Sequence, residues 1–240
     1  MIVSTLAMVD IYNYNRSEMT KKKGYPGSKG NGILIPNILN LFPPHKVYWE
    51  LCMGSGAVMK AKKPAAISIG VEINPEVAAF YAPAMPAGSV VVNGCSISLA
   101  ACLQHVSPDH LIYADPPYPF SVRRSQVDIY ANEWSDEDHR RFLGYLYRSR
   151  CNVVVSSYEN ELYDNHLPGW NKKRIGVCVH GSPRVECLYY NFSVKALHQY
   201  DHVGDNKTDR QRIRRKIERW AARLRSLPAV ERNAILAHFK

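Results

Sequence analysis

The stretch Lys46-Val47-Tyr48-Trp49-Glu50-Leu51-Cys52-Met53-Gly54-Ser55-Gly56-Ala57 decides the fold. Residues 46–51 have the length and the apolar, aromatic content of a buried strand. The turn that follows holds Gly54 and Gly56, and a short helix is expected from Ala57. Strand, glycine turn and helix form a nucleotide-type loop: glycines permit a tight turn and let backbone approach a ligand at a helix N-terminus. Taken alone, the pattern fits an ordinary strand-to-helix turn equally well.

Downstream, the alternation continues. Residues 66–73 read as a second strand, Pro75 to Tyr81 as a helix, Ser89 to Val92 as a third strand and Asp109 to Ala114 as a fourth. Ser135, followed by Asp136, Glu137 and Asp138, has the makings of a capped helix start, with a carboxylate three residues on and acid in the first turn. Asn152 to Ser156 reads as a fifth strand, and Arg174 to His180 with Val185 to Phe192 as a closing antiparallel pair. Upstream, Ile33 to Leu41 is an apolar helical stretch stopped by Pro43-Pro44. Strands alternating with helices at this spacing predict an α/β fold with a doubly wound, Rossmann-like parallel sheet.

Two features place chemistry on that sheet. Glu72 ends the second strand, 18 residues after Gly54, where an acidic side chain can take both ribose hydroxyls of an adenosine cofactor. Asp115-Pro116-Pro117-Tyr118 follows the fourth strand directly. Two prolines fix φ and remove two N–H donors, so the segment cannot extend the ladder and is held as a rigid platform at the carboxyl edge of the sheet. Asp115 and the Pro116 carbonyl supply acceptors and Tyr118 a flat π face, which suits a planar base carrying an exocyclic NH₂.

These residues together resemble S-adenosyl-L-methionine (SAM)-dependent amino-methyltransferases. Pro26-Gly27-Ser28-Lys29-Gly30 narrows the likeness to the Dam-like, alpha-group DNA adenine-N6 methyltransferases. So do the later matches Ser156-Ser157-Tyr158, Leu162-Tyr163-Asp164 and Arg184-Val185-Glu186-Cys187-Leu188, in the order of the small phage-type members. The resemblance covers residues 24–193. It implies methyl transfer from SAM, with S-adenosyl-L-homocysteine (SAH) as product, to adenine N6 in double-stranded DNA by base flipping and direct in-line transfer. It implies catalytic roles for Asp115, Pro116, Pro117 and Tyr118. It implies cofactor contacts from Tyr25, Gly27, Lys29, Glu50, Cys52, Gly54, Gly56, Glu72, Ile73, Cys95 and Asp115. Cys95 stands where the family usually has an Asp, and Ser28 where it has a second glycine. The alternatives are an RNA or protein-glutamine methyltransferase and a catalytically silent nucleic-acid-binding protein.

Charge adds a partner. The net charge is +10, and residues 207–225 hold nine basic and two acidic side chains. Most of the excess therefore sits in one C-terminal element, and a polyanion is its natural partner. Arg212, Arg215, Lys216 and Arg219 are expected on DNA phosphates, and Arg123, Arg124 and Tyr130 on a substrate-facing loop. Ile213, Ile217, Trp220 and Leu224 share the opposite helical face and are expected to dock the helix on the domain. Three segments follow: a leader over 1–23, the methyltransferase domain over 24–195 and a basic helical extension over 196–240.

The other classes are excluded by composition. No run of about 18 apolar residues exists. The first ten residues lack a basic n-region, so no signal peptide is expected. Six scattered cysteines without a CxxC pair argue for reduced thiols in a cytoplasm, and the phage-type resemblance implies that of a bacterial or phage-infected cell. His105, His110, His139, His166, His180, His198 and His202 lie far apart with no paired spacing, and no metal is expected.

Overall fold

A computed structural model describes residues 32–123, 132–179 and 182–239. The leader, the Tyr25–Lys29 element, Arg124 and Tyr130 lie outside the described residues.

Among the described residues seven strands form one sheet in the order β3-β2-β1-β4-β5-β7-β6. β1 (Val47–Leu51), β2 (Ile67–Glu72), β3 (Ser89–Asn93), β4 (His110–Ala114) and β5 (Asn152–Tyr158) run parallel, while β7 (Ser182–Tyr190) is antiparallel to both β5 and β6 (Asn171–Val179). The doubly wound, Rossmann-like expectation holds, including the closing antiparallel pair. Strand order reverses between β1 and β4, where sheets of this kind present their ligand crevice. Leu51 pairs with Ala114 there, and the Asp115 N–H donates to the Leu51 carbonyl at 3.2 Å. The glycine turn and the Asp-Pro-Pro-Tyr segment thus leave the sheet side by side.

Period-two alternation sends each strand's side chains into two cores. On one face α4 (Ser96–Cys102), α5 (Asp136–Tyr147) and α6 (Glu161–His166) cover Leu51, Ile112, Val153, Val155 and Tyr189. On the other, α1 (Leu34–Leu39) and α2 (Ala57–Ala61) cover Tyr48, Leu111, Tyr113 and Val154. α3 (Pro75–Tyr81) spans the expected residues, capped by the Asn74 side chain. α5 opens on the expected capping box, with Ser135 Oγ accepting from the Asp138 N–H at 3.1 Å.

Residues 196–204 are pinned to the α1–α2 face. His198 N–H donates to the Phe42 carbonyl at 2.8 Å, Asn40 Nδ2 donates to the His202 carbonyl at 2.7 Å, and buried Gln199 accepts from the Lys63 N–H. His198 also stacks on His45 at 4.0 Å, so two histidines distant in sequence meet. His45 Nδ1 donates to the Pro43 carbonyl, which leaves Nε2 to accept from buried Lys62 Nζ at 3.2 Å. Burial pushes His45 down to about 3 and Lys62 down to about 8.

Beyond residue 206 come α7 (Lys207–Ser226) and α8 (Ala229–His238), neither of which contributes a buried residue. Ile217 is 53 % and Trp220 56 % exposed, so the expected docking of the apolar stripe on the domain does not occur. α7 covers the span over which the apolar stripe recurs in the sequence, and Leu227-Pro228 separates it from α8.

Candidate active site

The turn after β1 is built by left-handed backbone. Gly54 has φ +53° and Gly56 φ +64°, and Cys52, which has a Cβ, is held at φ +57°. Such a conformation in a non-glycine residue costs of order 1 kcal/mol or more and persists only where neighbours impose it. Here the Cys52 N–H donates to Ser96 Oγ at 2.9 Å and the Met53 N–H to the Val71 carbonyl at 2.9 Å. A Cβ on Gly56 would come within 2.6 Å of Met85 Sδ. Cys52 is half-buried against the core beside it, and burial raises its thiol above the ordinary range.

Glu72 anchors this turn. Its carboxylate is 3 % exposed; Oε2 accepts from the Gly54 N–H at 2.8 Å and Oε1 from the Asn74 N–H at 2.9 Å. Each oxygen keeps a second lone-pair direction, so the residue can shape the loop and still accept from a diol. Beside it Asn93 Nδ2 bridges the Glu72 and Ile73 carbonyls at 3.0 and 2.9 Å. Ile73, 42 % exposed, and exposed Cys95 flank that junction at the ends of β2 and β3.

Glu50 differs from its neighbours in the turn. It shares the inward face of β1 with Tyr48, is 2 % exposed, and accepts from Tyr48 Oη at 2.8 Å. Burial, helped by the negative Asp115 nearby, pushes its carboxyl up to about 8 against the opposing bonds from Tyr48 and the Met59 backbone. It therefore lies beneath the loop as a support.

The second half of the site is Asp115–Tyr118. Asp115 Oδ1 accepts from Ser156 Oγ at 2.8 Å. Tyr118 Oη donates to buried Glu186 Oε1, and its ring meets Tyr158 edge-on with centroids 4.6 Å apart. Burial, then the charges of Glu186 and Asp115, holds the Tyr118 phenol well above its ordinary value, so it stays protonated. Tyr118 is thereby pinned at its outer end and its ring plane is fixed. Ser156, Tyr158 and Glu186 stand in motifs to which the sequence alone assigns no roles; only strand register brings them to Asp115 and Tyr118.

Arg123, expected on a substrate-facing loop, is engaged within the chain. Its side chain is 5 % exposed and forms a bidentate pair with Glu133 at 2.7 and 2.6 Å, while Nε donates to the Tyr118 carbonyl. It staples residues 118–123 to residue 133 and presents no free fork to a phosphate. On α7, Arg212 pairs with Asp209 at 2.8 Å but stays 65 % exposed. Arg212, Arg215 and Arg219 share a face with Thr208 and Gln211, opposite the Ile217–Trp220 stripe. Among the described residues no group of three or more His, Cys, Asp and Glu side chains is placed to hold a metal ion. No helix of these residues is long and apolar enough to cross a membrane.

No protein-family model matches the chain, and no curated protein matches it in sequence. Among solved structures it is similar to a SAM-dependent methyltransferase from Anabaena variabilis, with 9% identity over 71% of this chain and 88% of that one and a TM-score of 0.48. It is also similar to the N-methyltransferase NodS from Bradyrhizobium japonicum, with 10% identity over 65% and 92% of the two chains and a TM-score of 0.45. An O-methyltransferase from Bacillus cereus, solved in complex with SAH, gives 7% identity over 65% and 78% and a TM-score of 0.42. At these identities and scores the likeness is one of fold and fixes neither reaction nor substrate.

Proposed function

We propose that the chain is a SAM-dependent methyltransferase acting on the N6 amino group of adenine in DNA. The observation that carries the reading is the juxtaposition at the strand-order reversal: the left-handed Cys52–Gly56 turn, clamped by Glu72, stands next to Asp115–Tyr118 through the Asp115–Leu51 hydrogen bond.

The turn fits the cofactor. Glycines at positive φ leave backbone accessible, Glu72 retains acceptor capacity for ribose hydroxyls, and Ile73 offers an apolar surface beside them. SAM, when bound, supplies an electrophilic methyl group. The chain's own part is positioning and electrostatics. Adenine N6 is a poor nucleophile because its lone pair is delocalised into the ring. Asp115 and the Pro116 carbonyl accept the two N–H groups and draw the nitrogen toward sp³ character. Tyr118, fixed by Glu186, stacks on the base and offsets part of the few kcal/mol needed to take it out of a duplex. The exposed basic face of α7 supplies sequence-independent affinity for phosphates.

Tritiated SAM offered with duplex DNA, RNA and protein tests this directly. Label is expected in DNA adenine, with Asp115→Ala abolishing transfer while cofactor affinity stays within about threefold, because the lost acceptor serves the transition state. Label in RNA or in protein glutamine instead would replace the substrate, and wild-type turnover by Asp115→Ala would remove Asp115 from the chemistry.

A further inference from the structure

The Asp115 carboxylate is held from behind by a buried pair of hydroxyls. Ser156 Oγ lies 2.8 Å from Asp115 Oδ1 and 3.0 Å from Tyr113 Oη. Ser156 is 0 % and Tyr113 1 % exposed. A serine hydroxyl carries one proton and an ionised carboxylate only accepts, so Ser156 donates to Asp115 and Tyr113 in turn donates to Ser156. The donors therefore run from Tyr113 through Ser156 to Asp115, with the Ala114 carbonyl, 3.5 Å from Ser156 Oγ, a more distant second acceptor. The strands make this possible: Ala114 pairs with Val155, which brings Ser156 level with the residue that follows β4.

The neighbouring serine provides a contrast. Ser157 is equally buried, yet its Oγ accepts from Asn160 Nδ2 at 3.1 Å, and Asn160 caps α6. Alternation along β5 has given one serine to helix capping and the other to Asp115.

We propose that Ser156, backed by Tyr113, is the positioning residue of the transfer step. It holds the Asp115 carboxylate in the rotamer that accepts the N–H of the amino group being methylated. The proposal rests on the reading above that Asp115 takes that hydrogen bond. A carboxylate at the mouth of a site has two rotatable torsions, and a donor fixed within the sheet removes that freedom before substrate arrives. The bond to a charged acceptor is also of the stronger class.

Methyl transfer by Ser156→Ala, Ser156→Thr, Tyr113→Phe, Ser157→Ala and Asp115→Ala tests it, using the acceptor that the wild-type chain labels. Ser156→Ala is expected to lower kcat about 10- to 100-fold, with KM for SAM within twofold of wild type and a thermal midpoint no lower than that of Ser157→Ala. Ser156→Thr, which keeps the hydroxyl, restores kcat to within about fivefold, and Tyr113→Phe, which leaves the Ser156 donor in place, costs less than Ser156→Ala. Wild-type kcat in Ser156→Ala beside an inactive Asp115→Ala overturns this proposal and leaves the functional reading standing. So does a kcat loss that Ser156→Thr shares in full or that Ser157→Ala matches. Activity in Asp115→Ala, or no label in DNA, RNA or protein, overturns the functional reading and this proposal with it.

Discussion

Replacing Glu50 with Gln isolates the cost of a buried carboxyl group beneath the site. Glu50 is 2 % exposed and its carboxyl is raised from 4.5 to about 8, chiefly by burial. Between those values the folded chain binds a proton that the unfolded chain has released, so unfolding becomes easier as pH rises from about 4.5 to about 8 and levels off above. At about 1.4 kcal/mol per pH unit, the wild type forfeits roughly 3–5 kcal/mol over that interval. Gln cannot titrate, keeps an oxygen for the Tyr48 hydroxyl, and lacks the loss. His45 and His139, lowered by burial to about 3 and about 4, titrate on the acid side in both proteins and cancel in the comparison. Thermal midpoints of wild type and Glu50→Gln, followed by calorimetry from pH 5 to 8.5, should therefore diverge with rising pH. At roughly 2–4 °C per kcal/mol for a chain of this size, the gap should widen by about 10 °C in favour of Gln. Two curves that stay parallel to within 2 °C would refute the reasoning and return Glu50 to an ionised, solvated state.

Breaking the buried Arg123–Glu133 pair by Arg123→Ala should cost about 3–5 kcal/mol in urea unfolding, because the bidentate guanidinium contact to a largely buried carboxylate is lost. A double-mutant coupling below about 0.5 kcal/mol would demote the pair to a surface contact. Trp220→Asp should leave the thermal midpoint unchanged within 1 °C, since the ring is 56 % exposed and α7 buries nothing; a loss above about 2 kcal/mol would show that the stripe is covered in solution. Replacing Arg212, Arg215, Lys216 and Arg219 with Gln should lower the slope of log affinity against log salt by roughly 0.9 for each phosphate no longer neutralised, equally on all DNA sequences. An unchanged slope would take α7 off the DNA.

The parallel sheet was legible because three of its strands end in a residue pattern with a mechanical meaning: glycines after Leu51, Asn74 and Pro75 after Glu72, prolines after Ala114. α5 announced itself by its capping box. α4, with seven residues and no side-chain cap, gave no such signal, whereas α6 carried one in Asn160 and Glu161 that length alone obscured. Within the site, the positions of Gly54, Glu72 and Asp115 follow from local motifs. Their partners do not, because Ser156 and Glu186 reach Asp115 and Tyr118 across strand register, 41 and 68 positions away. Arg123 shows the same limit at short range: a sequence displays its charge but not that Glu133 quenches it. The α7 stripe shows it for surfaces, since period gives the face and leaves open what the face meets.

The hydrogen bond from the Asp115 N–H to the Leu51 carbonyl has a consequence for how the two halves of the site respond to change. Leu51 ends the strand that launches the Cys52–Gly56 turn, and Asp115 begins the segment that launches Tyr118. One backbone bond therefore makes the two departures a single rigid corner. Substitutions on its two sides share a mechanical support, so their free-energy effects should be non-additive even between residues that never touch. An occupant that stiffens one side also lowers the ordering cost for an occupant of the other, which is cooperativity without any displacement of the chain.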